Sequence, residues 1–215
     1  GVCYKAIDKL DAAVESFEKA LAIKPDYTEA YNNLGFTFQG LGQLDAAVKS
    51  YKQALALKPD YFVAHNNLGN AFKELGQLDD AFKCYKKAIT LKPDYTDAHY
   101  NLGNAFKELG QLDDAIKSYE QALAIDPGYA DAYNNLGVTL QELDQLDAAV
   151  KCYEQAVVLK PDYIDAHNNL GVVLVQLGQL DDAVKCYKQA IAVKPDYAEA
   201  HNNLGNALKD LGQHD

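Results

Sequence analysis

Apolar residues along this chain fall into two alternating helical stripes. Within 28–61, Ala30, Leu34 and Phe38 stand four apart, with Tyr31 and Gly35 beside them, so they share one face of a helix. Ala47, Tyr51 and Ala54 mark a second stripe, widened by Leu44, Val48 and Leu55. Gly42 can end the first helix and Gln43-Leu44 can make the turn. Pro59 stops the second, because the residue before a proline is steered out of helical geometry. The pattern predicts helices over 28–41 and 44–57, packed as an antiparallel pair.

The pair then repeats. Proline occurs only at 25, 59, 93, 127, 161 and 195, every 34 residues. A fixed period over a whole chain means a stack of one unit, each copy touching its neighbours, rather than a domain around one core. Complete repeats are expected at 28–61, 62–95, 96–129, 130–163 and 164–197. A partial repeat that lacks its first seven positions fills 1–27, and a half repeat with only the first helix fills 198–215. The fold class is all-α, a single solenoid array.

A glycine recurs inside the first helix at 35, 69, 103, 137, 171 and 205, where it costs roughly 1 kcal/mol against alanine. Alanine recurs on the second helix at 47, 81, 115, 149 and 183. Close approach of two helices explains both series, since a larger side chain would overpack the contact. Asp26 with Glu29, and Asp196 with Glu199, have the spacing of a capping box.

Charge narrows the ligands. The formal net charge is −11, so the attraction that dominates nucleic-acid binding is missing, and an anionic membrane surface is excluded on the same ground. No apolar run approaches the roughly 18 residues of a membrane span, and no signal peptide opens the chain. Methionine is absent even at residue 1, so a fragment of a longer protein, or a processed one, is expected. Cys84, Cys152 and Cys186 share one repeat position, where Ser16, Ser50 and Ser118 stand elsewhere; Cys3 lies apart. Equivalent positions roughly 10 Å apart exceed the ~7 Å reach of a disulfide. With no CxxC pair, the cysteines read as semi-buried thiols in a reducing cytoplasm, and neither metal nor cofactor is expected.

The series Leu34-Gly35, Phe38, Ala47, Tyr51, Ala54 and Pro59, copied in register along the whole chain, resembles the tetratricopeptide repeat (TPR) family. Departures are few: Asp144 replaces the turn glycine, Gly128 replaces the aspartate after proline, and Leu140, Leu174 and Leu208 replace the phenylalanine. The resemblance implies a right-handed superhelix whose first helices line a concave groove.

The face of the first helix opposite the packed stripe repeats too. It carries Asn32, Asn33 and Phe36; Asn66, Asn67 and Asn70; Tyr100, Asn101 and Asn104; Asn134, Asn135 and Val138; Asn168, Asn169 and Val172; and Asn203 in the half repeat. Eleven asparagines precede the Leu-Gly pairs although asparagine is a mediocre helix former. A carboxamide donates and accepts, so a row of them can grip a peptide backbone. Asn33, Asn67, Asn101, Asn135, Asn169 and Asn203 resemble the asparagine ladder of the TPR region of O-GlcNAc transferase and of other peptide-binding arrays. Alternatively, one asparagine of each pair bonds the neighbouring repeat and binds nothing. Phe36, Tyr100, Val138 and Val172 would form apolar pockets between the amides, and Glu74, Glu108, Glu142 and Asp210 would favour lysine or arginine in the ligand. TPR cochaperones hold carboxylate tails with cations on this face; here Glu29, Asn32, Val63, Asn67 and Asp97 supply none.

His65, His99, His167 and His201 stand where Tyr31 and Tyr133 do, which points to ring packing rather than a metal. No nucleophile–base pair or phosphate loop emerges. The leading expectation is a non-enzymatic interaction scaffold for an extended peptide or flexible protein segment. Two other classes remain open: the substrate-recognition arm of a larger enzyme such as an O-GlcNAc transferase-like glycosyltransferase, and end-to-end self-association through Leu204, Leu208 and Leu211.

Overall fold

A computed structural model describes residues 2–212, with side chains from residue 9 onward. The Cys3 side chain and the last three positions of the half repeat lie outside that description. Among the described residues there are twelve helices and no strand: α1 (Val2–Ile23), α2 (Thr28–Gly40), α3 (Leu44–Leu57), α4 (Phe62–Glu74), α5 (Leu78–Leu91), α6 (Thr96–Glu108), α7 (Leu112–Ile125), α8 (Ala130–Glu142), α9 (Leu146–Leu159), α10 (Ile164–Gln176), α11 (Leu180–Val193) and α12 (Ala198–Leu211). They form two compact units, Gly1–Ala105 and Phe106–Asp215.

Each unit is an all-α stack. In the first, α1 packs on α2, α2 on α3, α3 on α4 and α4 on α5; in the second the chain of contacts runs from α7 through α12. Alternate helices also meet: α2 with α4, and α8 with α10 and α10 with α12. The first helices of successive repeats therefore lie side by side within a unit.

The recurring glycine makes the pair possible. The tyrosine of the second helix packs directly against it: a Cβ on Gly69 would sit 2.6 Å from Tyr85 Cε1, and one on Gly171 would sit 2.5 Å from Tyr187 Cε1. Tyr51, Tyr85, Tyr119 and Tyr153 are fully buried, as are the alanines four residues before and three after each. Around Tyr51 the packed layer takes in Ala47, Leu68 and Ala71, with Phe38, Leu55 and Phe72 at its border.

Both connections are built from backbone bonds. Between α2 and α3, the Gln43 N–H reaches the Phe38 carbonyl at 2.8 Å and the Gly42 N–H reaches Gln39 at 2.9 Å. Gly42 is left-handed at φ 72°, which completes a Schellman ending. Asp144 takes the same conformation at φ 59° and closes the same two bonds. Between repeats, the Tyr61 N–H donates to the Lys58 carbonyl at 3.1 Å across Pro59-Asp60, with proline pre-set for the second place of the turn. Lysine then covers tyrosine, Lys160 Nζ lying 4.5 Å from the Tyr163 ring centre.

This turn overturns the expected capping boxes. Tyr27 and Tyr197, not Asp26 and Asp196, stand at the helix N-caps, and neither makes a side-chain cap. Glu199 instead accepts from the Tyr197 hydroxyl at 3.2 Å and from Asn168 Nδ2 at 3.1 Å.

Candidate functional site

The asparagine pairs divide their work in a way that one helix viewed alone does not show. The second asparagine of a repeat donates its Nδ2 back to the first asparagine of the repeat before. Asn67 reaches Asn32 Oδ1 at 3.1 Å, Asn101 reaches Asn66 at 3.0 Å, Asn169 reaches Asn134 at 3.3 Å and Asn203 reaches Asn168 at 3.1 Å. Asn32, Asn66, Asn134 and Asn168 were expected on the open face, yet each is buried, Asn168 to 1 % exposure. The neighbouring first helix covers them, and their amides serve the joint between repeats. Asn67, Asn101, Asn135, Asn169 and Asn203 remain half-exposed, and Asn33 is exposed. Each of the four donors in the ladder is thus held in a fixed orientation while it still borders solvent.

The residues between the amides are uneven. Phe36 is 68 % exposed, whereas Val138 and Val172 are half-buried. Tyr100 and Asn104 are half-buried as well. Asn70 is partly committed, because its Oδ1 accepts the Tyr85 hydroxyl at 2.8 Å.

A second set of contacts, not foreseen from the sequence, links buried tyrosines to this face. The Tyr51 hydroxyl donates to Gln39 Oε1 at 3.0 Å, and Gln39 Nε2 donates onward to Glu74 of the next repeat. The Tyr153 hydroxyl donates to Gln141 Oε1 at 3.1 Å, and Gln141 Nε2 donates to Gln176 Oε1 at 3.1 Å. In the repeat 164–197 the positions of Asn70 and Gln141 are held by Val172 and Val175. There a cavity of about 200 Å³ opens instead, bordered by both valines, Tyr187, Asn203, Asn206 and Asp210. Burial, with smaller contributions from Cys186 and Glu199, pushes the Tyr187 phenol up to about 12.

The histidines are structural. The Nε2–H of His65, His99, His167 and His201 donates to the carbonyl of the proline six residues earlier, at 2.9–3.0 Å. Among the described residues no three metal-ligating side chains gather, and no helix is long and apolar enough to cross a membrane. On α12, Leu208 is 48 % exposed, while Leu204 and Leu211 are half-buried.

Cys84, Cys152 and Cys186 are half-buried. Burial first, then Asp80, Glu120 or Asp182 beside each, pushes the three thiols up to about 11. Thiolate is the reactive form, so alkylation at neutral pH is expected to run roughly a hundredfold slower than for a free cysteine. Labelling by iodoacetamide in a Cys3→Ser background checks this; rates equal to those of the urea-unfolded chain would contradict it.

Paired helices recurring at one fixed period, with a tyrosine against a glycine at Gly35, Gly69, Gly137 and Gly171, define a helical repeat protein of the solenoid class. The comparisons with known proteins agree. The chain belongs to the tetratricopeptide repeat family: the profile of the Cilia and flagella-associated protein 70 C-terminal domain, a TPR region, matches residues 62–215, and the TPR repeat profile matches 3–42 and 40–76. No curated protein matches. Among solved structures, MamA is similar at 30% identity, with 77% of this chain and 97% of MamA covered at a TM-score of 0.69. YrrB, described as a TPR protein with an unusual peptide-binding site, is 23% identical, with 88% and 97% covered at a TM-score of 0.67. The Cut9–Hcn1 hetero-tetramer of the APC/C matches over 95% of this chain and 40% of that one, at 21% identity and a TM-score of 0.80.

Proposed function

We propose that the chain is a non-enzymatic interaction scaffold whose asparagine-bearing face holds an extended peptide or a flexible segment of a partner protein. The observation that carries this reading is the ladder itself. Asn67, Asn101, Asn169 and Asn203 are fixed by one bond each to the preceding repeat, and each keeps an Oδ1 acceptor and a second Nδ2 hydrogen. Binding to groups already oriented spares the ordering cost that would otherwise weaken association. An extended chain advances about 3.3–3.6 Å per residue and stacked helices lie about 10 Å apart, so within each unit one carboxamide would meet every third residue of a ligand. Contacts at that interval reach the backbone regardless of sequence. A peptide-binding site in YrrB, a protein of the same fold, is in keeping with this use.

The test is a peptide-array screen of the chain beside an Asn33→Ala/Asn169→Ala/Asn203→Ala variant. Asn169 and Asn203 also satisfy the buried Asn134 and Asn168, so each of these two substitutions should cost about 1–3 kcal/mol of stability. Helicity is therefore monitored in parallel, and Asn33→Ala, which breaks no bond between repeats, is screened alone as well. Peptides lost at unchanged helicity support the ladder as the site. Peptides held equally by all three proteins would place binding on another surface.

A further inference from the structure

Repeat 164–197 has neither the tyrosine–glutamine link nor the asparagine acceptor that Tyr85 uses, and what their loss leaves is a site. In 28–61 and 130–163 a glutamine spans from the tyrosine hydroxyl to the next repeat, at Glu74 and at Gln176. In 164–197 the spanning residue is Val175, which can neither accept from Tyr187 nor donate to Asp210, the counterpart of Glu74 and Gln176. The alternative acceptor position, used by Tyr85 through Asn70, is Val172. Among the described residues neither the Tyr187 hydroxyl nor the Asp210 carboxylate forms a hydrogen bond or ion pair within the protein. Both border the same cavity of about 200 Å³, room for one long side chain.

We propose that this cavity is a subsite for a basic side chain, lysine or arginine, of the bound segment. The guest takes the place of the missing glutamine. Its methylene stem lies along Val172 and Val175, as the stems of lysine and arginine do on apolar surfaces. Its charged head donates to Asp210 and to the Tyr187 hydroxyl oxygen, with the Asn206 carboxamide alongside. A glutamine guest would restore the neutral link only, and a bond from a cation to the carboxylate is roughly twice as strong as a neutral one. Among the described residues no cation lines the cavity; Lys209, next to Asp210 in the chain, is exposed and outside the lining. The peptide ligand rests on the groove reading above, whereas the side-chain subsite can be read without it.

The probe is Nα-acetyl-lysine methylamide, titrated at millimolar concentration into the full chain with methyl NMR on the valines, beside its norleucine equivalent, which has the stem without the ammonium. Saturable shifts at Val172 and Val175 are expected with the lysine probe and at least tenfold weaker ones with norleucine. Val175→Gln should abolish them by rebuilding the link from within; glutamine is native at this position in two other repeats, so the fold is retained. Asp210→Asn should weaken the lysine probe about tenfold without moving norleucine. No saturable shift, equal shifts with norleucine, or an unchanged Val175→Gln titration would each overturn the subsite. The ladder is judged separately by the array, so a failed subsite with peptides still lost in the asparagine variant leaves the groove standing.

Discussion

Tyr153→Ala is expected to destabilise its repeat by about 3–5 kcal/mol, the range for removing a large buried aromatic side chain. Tyr153 is fully buried and its ring lies on Gly137, whose Cβ, were one present, would be 2.8 Å from Tyr153 Cε1. The substitution empties that slot. It also strands Gln141, whose Oε1 takes the tyrosine hydroxyl and whose Nε2 reaches Gln176 on α10, so α8, α9 and α10 lose a shared contact together. Tyr153→Phe keeps the ring and removes only the hydroxyl bond, for about 1 kcal/mol. The large and small effects separate packing from the polar link. A repeat stack need not unfold in one step. Native-state hydrogen exchange over α8 and α9 is therefore the appropriate measurement, with a denaturant midpoint as support. Exchange in Tyr153→Ala within 1 kcal/mol of the parent would show that the ring does not hold the pair together.

The second large effect changes sign along the chain. Alanine for glycine inside a helix ordinarily gains roughly 1 kcal/mol in propensity. At Gly69 the new methyl would lie 2.6 and 2.8 Å from two ring carbons of Tyr85, which is fully buried and tied by its hydroxyl to Asn70. Overpacking of this kind costs about 1–3 kcal/mol, so Gly69→Ala is expected to be destabilising in spite of the helical gain. Gly205 occupies the same motif position on α12, and nothing lies within 4 Å of its added Cβ. There Gly205→Ala should stabilise this chain by about 0.5–1 kcal/mol. Paired thermal melts decide it: two shifts of the same sign would refute the ring-contact account of the glycine series.

The sequence carried the fold further than the site. Ala30, Leu34 and Phe38 placed α2 to within one residue of its end, and Ala47, Tyr51 and Ala54 placed α3, because helical period and the glycine and proline breaks are local signals. The close approach at Gly35 was legible for the same reason: only a packing constraint explains a glycine kept inside helix after helix. The asparagines were half legible. A wheel drawn on α4 turns Asn66 outward, since it knows nothing of α6 beside it, and the bond from Asn101 that buries it joins residues 35 apart. Val175 gave no signal at all, being an ordinary apolar residue near a helix end. It acquires meaning only once Gln39 and Gln141 are seen to span from tyrosine to the next repeat. The capping boxes failed because spacing alone cannot tell the N-cap from the residue before it, and the proline turn brings Tyr27, not Asp26, to that place.

Within each unit the hydrogen bonds that join repeats, from Asn67 to Asn32 through Asn203 to Asn168, span 35 residues of chain and no more. Contact order is consequently low, and it does not rise as repeats are added. Closing such a short loop carries little entropy, so folding can start at any helix pair and spread to either side, in the rapid regime typical of helical proteins rather than the slow one of sheets. The same locality gives no pair a distant anchor. Opening should then begin at the outermost pairs of a unit and travel inward one helix pair at a time, leaving the inner asparagine rungs among the last to separate.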